Sequence, residues 1–270
     1  MVNIKNVFNI VHKDFIEAKN DQGAVVSMLV VPFIFSVVLP LLVILGGASN
    51  VLINFIGGIR VFTEQLPANI LPTNISESHA MIYAILMYFF IPFFLLIPVM
   101  ISTILSSSSF TGEKERKTIE GLLYTPITNK ELMLGKILAS FIPSVIITWL
   151  SITVYGIIIN IYTVKVMGEM VFPNLNWLII GLLIAPLITF LSISLVVAIS
   201  HRVKTSKSAQ SISMLLILPI IGFLISQASG VFLFGFTVSL ILVIVLIILD
   251  FSVYLFISRT FNRGKFITKL

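Results

Sequence analysis

The sequence predicts an all-α integral membrane protein with six transmembrane helices, and three observations predict it. Of 270 residues, 58% are apolar and 10% are charged, whereas an ordinary soluble domain is about a quarter charged. A soluble globule of this size could not hide so much apolar surface. Second, six stretches reach the roughly 20 apolar residues that cross about 30 Å of hydrocarbon. Third, the cations divide by side. With the N-terminus in the cytoplasm, fifteen of the 17 Lys and Arg lie inside, and only Arg60 and Lys165 lie outside. That asymmetry orients membrane proteins and places both termini in the cytoplasm. It also accounts for the net charge of +6 without a nucleic-acid partner. Composition thus excludes a soluble enzyme, a disordered chain and a nucleic-acid-binding domain. With no cysteine in the chain, there is no disulfide, thiolate metal site or redox motif. The first 23 residues mix charge with apolar groups and lack a signal-peptide pattern.

The elements follow in order. Ile4, Val7, Phe8, Val11 and Phe15 recur at helical spacing over residues 4–19, with Lys5, Asn9, His12, Lys13 and Glu17 mostly elsewhere on the wheel. This predicts an interfacial helix on the cytoplasmic leaflet, bending at residues 20–23 into the first span. The spans are expected at 24–45, 80–105, 132–164, 177–200, 209–227 and 236–257. Residues 46–78 form the largest external loop, with a short helix resting on the outer leaflet. Residues 227–236 carry either a tight turn or a re-entrant pair of half-helices. Pro32, Pro40, Pro92, Pro98, Pro143, Pro186 and Pro219 fall inside spans, where each removes a helix hydrogen bond and favours a kink. The halves do not repeat each other, which gives no support to an inverted-repeat carrier.

Between spans two and three lies a cytoplasmic segment, 106–131, dense in charges of both signs. Ile119, Leu122 and Leu123 give a short amphipathic helix ending near Pro126. The next helix opens with a capping box, Thr128 to Glu131, with Ile127 and Leu132 placed for a hydrophobic staple. An ordered, charged elbow suits docking onto a soluble partner. The candidate docking residues are Phe110, Glu113, Lys114, Glu115, Arg116, Lys117, Thr118, Ile119, Glu120, Leu122 and Leu123.

The run Phe110, Glu113-Lys114-Glu115, Thr118-Ile119-Glu120, Leu122-Leu123, Thr125-Pro126-Ile127, Glu131 and Gly135-Lys136 resembles the signature of permease subunits of ABC-2-type exporters. Lys13-Asp14-Phe15 and the Pro32 and Pro40 pair resemble that family too. Lys117 departs from a frequent Gly. The resemblance covers the layout of the whole chain as a single transmembrane domain, while the specific motif spans about 27 residues. It implies six spans, an interfacial elbow helix and a coupling helix after span two that rests on a separate ABC ATPase. It also implies two ATPase copies, a second permease (a homodimer mate or a related chain), and a path lined by spans two and five. ATP and magnesium would be bound by the ATPase; this chain is expected to carry no cofactor and no metal. The Gly112–Thr118 stretch has Lys117 where a phosphate loop needs its second Gly. The implied location is a prokaryotic cytoplasmic membrane.

By that analogy the cargo cavity would be walled by Tyr83, Met87, Phe90 and Phe94, together with Met214, Leu218, Ile221 and Ile225. Aromatic and Met side chains give adaptable apolar surface. Asp250 is the one acidic residue inside a span, a costly placement that suits a proton site, a cation site or a hydrogen-bond anchor. His12, His79 and His201 have no metal spacing, and no catalytic constellation is present. The chain is therefore expected to be a transport subunit and not itself an enzyme. Two alternatives remain at this point. An ATP-independent carrier predicts repeats or a run of intramembrane polar groups. A non-transporting, peptide-binding immunity protein would be separated by transport assays with an inactive ATPase.

Overall fold

The computed structural model describes residues 2–46, 77–116, 127–200, 202–203, 205–231 and 233–260. Among these, six helices are long and apolar enough to cross a bilayer. A seventh, α1, precedes them over Ile4–Asn20. The others are α2 (Gln22–Gly46), α3 (His79–Glu115), α4 (Asn129–Met167), α5 (Leu175–Ser200), α6 (Ser206–Ala228) and α7 (Phe236–Thr260). The expected external helix in 46–78 falls on residues outside the described set.

Local chemistry sets the boundaries. Asp21 alone breaks α1 from α2, in an extended conformation, and its carboxylate accepts from Ala24 N–H at 3.1 Å. The capping box is formed: Thr128 Oγ1 accepts from Glu131 N–H at 3.3 Å, and Glu131 Oε2 from Thr128 N–H at 2.9 Å. Gly168, at φ 79, closes α4 through its N–H to Val164 O at 3.0 Å, a left-handed cap that glycine takes freely. Between α6 and α7 there is a tight turn and not a pair of half-helices. Gly230 N–H bonds Gln227 O, Val231 N–H bonds Ser226 O, and Gly230 has φ 70. That double bond pattern ends a helix.

Helix α3 is the centre of the bundle. Of its most apolar stretch 72% is buried in the chain, against 17% for α6 and for α7. Helices α2, α4, α5 and α6 pack around it, while α7 lies chiefly on α5. Helix α1 crosses the start of α4, where Gly135 lets it come close. A Cβ on Gly135 would stand 2.7 Å from Ile10 Cβ. Val7, Ile10 and Asp14 of α1 are buried, and Ile4, Phe8 and Phe15 are exposed beside that face.

Three of the span prolines announce the same irregularity. Wide, π-helical turns occupy Ile34–Val38, Ile85–Phe89 and Ile180–Ile184, just ahead of Pro40, Pro92 and Pro186. A proline ring clashes with the carbonyl four residues before it, and a wide turn moves that carbonyl aside.

The second span is longer than the sequence suggests. It was expected to end at Leu105, with a polar cluster opening a cytoplasmic segment. Instead α3 continues through another wide turn, Ser108–Gly112, to Glu115. Ser106, Ser107, Ser109, Phe110, Thr111 and Glu113 are buried. Hydroxyls bond back to their own helix, as Ser106 Oγ does to Ser102 O at 2.5 Å, so a polar cluster can continue a helix inside a bundle.

Candidate functional site

The proposed docking residues divide into two groups. Lys117, Thr118, Ile119, Glu120, Leu122 and Leu123 lie outside the described residues. Phe110, Glu113, Lys114, Glu115 and Arg116 lie at the C-terminal end of α3, where α1, α4 and α6 meet it.

Glu113, 1% exposed, is the hub of that junction. Its Oε2 accepts from Lys136 Nζ of α4 at 2.6 Å, and its Oε1 pairs with Lys13 of α1. Lys136 also donates to Ser109 O and stands 5.5 Å over the Phe110 ring. Ser109 Oγ donates to Asp14 Oδ2 at 2.5 Å, while Lys13 Nζ lies 3.1 Å from Asp14 Oδ1. Burial works against the Lys13 charge, but the Glu113 and Asp14 carboxylates outweigh it and raise its pKa above the usual lysine value. Arg116 pairs with Glu17 of α1. Glu115 Oε2 accepts from Ser206 N–H, at the start of α6, at 2.9 Å. Lys114 is half-buried. On the far side of α1, Glu131 Oε1 accepts from Asn3 N–H at 2.6 Å.

Asp14, Glu17 and Glu113 lie close enough to share a cation, but Lys13, Lys136 and Arg116 already balance their three charges. The motif residues Glu113, Glu115, Glu131, Gly135 and Lys136 therefore act first as fasteners. They tie four helices into one rigid corner, and Lys114, Glu115 and Arg116 lead from it into 117–126.

The two halves of the expected cavity wall lie in different surroundings. Tyr83, Met87, Phe90 and Phe94 of α3 are all buried inside the chain. Phe94 lies 4.6 Å from Tyr155 and 5.1 Å from Trp177, centroid to centroid. Phe172 completes the aromatic cluster, 5.3 Å from Trp177. Its backbone is held at both N–H and C=O by the Asn160 amide, at 2.9 and 2.7 Å. Gly156 leaves room for the Phe172 ring, since a Cβ there would stand 2.3 Å from it. On α6, by contrast, Leu218 and Ile225 are 62% exposed and Ile221 40%, with Met214 partly buried.

Sequence reasoning missed the residues that hold α3 at its wide turn. Phe90 N–H reaches back five residues to Ile85 O at 3.2 Å, so Leu86 O loses its usual donor. The Tyr155 hydroxyl replaces it at 2.6 Å. Trp177 Nε1 donates to Met87 O at 3.0 Å. Pro92 has no N–H for Tyr88 O, and Gln227 Nε2 supplies one at 2.9 Å. One side chain each from α4, α5 and α6 thus satisfies a carbonyl that the irregular helix leaves open. Asp250 is buried in α7, and neither of its carboxylate oxygens has a hydrogen-bond partner.

Comparison with known proteins adds one positive finding. A family model described as ABC-2 family transporter protein matches residues 8–266. No curated protein matches the sequence.

Proposed function

Because the chain belongs to the ABC-2 family of transporter proteins, a multi-pass membrane family whose permeases associate with an ABC ATPase, we propose that it is the permease of an ATP-driven exporter. The observation that carries the reading is the corner around Glu113. Helices α1, α3, α4 and α6 are joined there by buried ion pairs and capping bonds, directly before the two-signed segment 117–126. Force applied to that segment enters several helices at once, because a rigid junction does not absorb it locally.

In this reading residues 114–123 dock on the ATPase, which binds ATP and magnesium, while the buried Phe110 and Glu113 anchor them from inside the junction. Exposed Ile4, Phe8 and Phe15 bed α1 in the cytoplasmic leaflet as an elbow. Two permeases, identical or related, stand over two ATPases and expose a cargo path alternately to each side of a prokaryotic cytoplasmic membrane. The exposed α6 side chains Leu218, Ile221 and Ile225 face that path. Alternating access requires such a wall to be free of the protomer's own core.

The test is co-purification of the tagged chain with its ATPase, followed by transport in vesicles with and without ATP. Glu120→Lys combined with Lys114→Glu should leave insertion intact and lower both complex recovery and ATP-dependent transport at least tenfold. Glu115 is avoided as a probe because it also caps α6. A chain that moves cargo alone, indifferent to nucleotide, overturns the proposal.

A further inference from the structure

Among the described residues, four buried carboxylates divide into two kinds. Asp14, Glu113 and Glu131 are each met by donors: a serine hydroxyl and a lysine, two lysines, and the N–H groups of Asn3 and Thr128. The protein evidently supplies donors wherever it buries an anion. Asp250, 7% exposed, has none at either oxygen.

Its surroundings explain why. Asp250 shares the buried stripe of α7 with Val243, Leu246 and Ile257, and that stripe lies chiefly on α5. Helix α5 contains no titratable residue along its length. On α7 itself Tyr254 points outward, 55% exposed, and the Arg259 side chain is outside the described residues. Ile257 belongs to one apolar cluster with Phe110 of α3 and Ile193 and Val197 of α5, against which Met133, Ile137 and Phe141 of α4 pack. Lys136 of α4 and Glu113 of α3 hold each other, and Arg202, just past the end of α5, is exposed. Helix interiors offer carbonyl oxygens as second acceptors but no spare N–H. Buried hydroxyls here use such acceptors, as Thr189 does with Ala185 O at 2.6 Å. A carboxylate can only accept, whereas a carboxylic acid can donate. The seam therefore suits the acid and has nothing for the anion.

We propose that Asp250 is a proton-binding site: its carboxyl enters the α5–α7 seam protonated and releases the proton only when α7 parts from α5 and water reaches it. Helix α7 is an edge element with most of its surface outside the bundle, so parting it disturbs few other contacts. Any step that unseats it then exchanges one proton with the surroundings, whatever the cargo.

The test compares the full chain with Asp250→Asn in one membrane mimetic, by thermal unfolding between about pH 5 and pH 8. Asn keeps the shape and a donor but cannot ionise. As pH rises, the wild type should lose ground to the variant by up to about tenfold in the unfolding equilibrium per pH unit, because the unfolded acid gives up a proton that the folded one keeps. A second measurement uses a hydrophobic carbodiimide, which reacts with protonated carboxyls, on native membranes. Near pH 7.5 an ordinary exposed Asp keeps its proton in only about one molecule in 4,000. A strong adduct at Asp250, with little from a water-soluble carbodiimide, is expected. Parallel pH profiles overturn the proposal, and so does labelling no greater with the hydrophobic reagent.

Discussion

Glu113 faces two lysines from two different helices, and its removal has an asymmetric cost. Glu113→Gln takes from Lys136, 4% exposed, the one carboxylate it is directly paired with among the described residues. Breaking a buried pair in this way costs about 3–5 kcal/mol. Replacing both partners, Glu113→Leu with Lys136→Met, should cost clearly less, since no buried charge is stranded and Lys13 keeps Asp14. Thermal unfolding of the single and double variants in detergent checks the order. At this scale the sequence marks Glu113 as a docking residue, whereas the structure buries it against two lysines. Glu113, Gly135 and Lys136 stand out as a motif, but a motif does not say which way a side chain points. The wide turn at Ser108–Gly112 decides that, by rotating the end of α3 so that Glu113 turns inward.

Helices are more legible than the joints within them. The 20-residue apolar runs, the Thr128 cap and the Gly230 stop follow from periodicity and turn chemistry. The extension of α3 to Glu115 does not, because serines read as loop until their hydroxyls bond back along the helix. Proline positions mark where helices bend, and they also name the carbonyl left without a donor. For Pro92 that carbonyl is Tyr88 O, and Gln227 is the long neutral donor in a facing span that could reach it. Tyr155, Trp177 and Gln227 together hold α3 at this joint. Trp177→Phe, Tyr155→Phe and Gln227→Leu should each destabilise the chain by about 1 kcal/mol. The three combined should exceed the sum of the singles, because they brace one turn; a double-mutant cycle on unfolding midpoints measures this. If the triple equals the sum, the three bonds are independent anchors and the turn is held by its own geometry.

At the scale of the molecule, orientation came from the cation census alone, and the natural absence of cysteine makes it directly checkable. Single cysteines at Glu169 or Ser229 should react with an impermeant thiol reagent added to intact cells. Cysteines at Asn20 or Lys207 should react only after permeabilisation. All four positions are exposed, so access is set by the bilayer and not by burial. Reaction in the opposite order would invert the assignment of both termini. What the census could not foresee is how the interior is filled. Spans two and five look alike as apolar stripes, yet one is core and the other surface, because only α3 has helices on every side.

The Phe172 ring seated over Gly156 has a consequence for traffic. Together with Tyr155 and Trp177 it stoppers the middle of the single subunit like a cork, and the Asn160 clasp keeps the cork in place. Among the described residues that space is filled, so in the proposed function cargo travels along the flank, against the open side of α6, and a neighbouring permease completes the conduit.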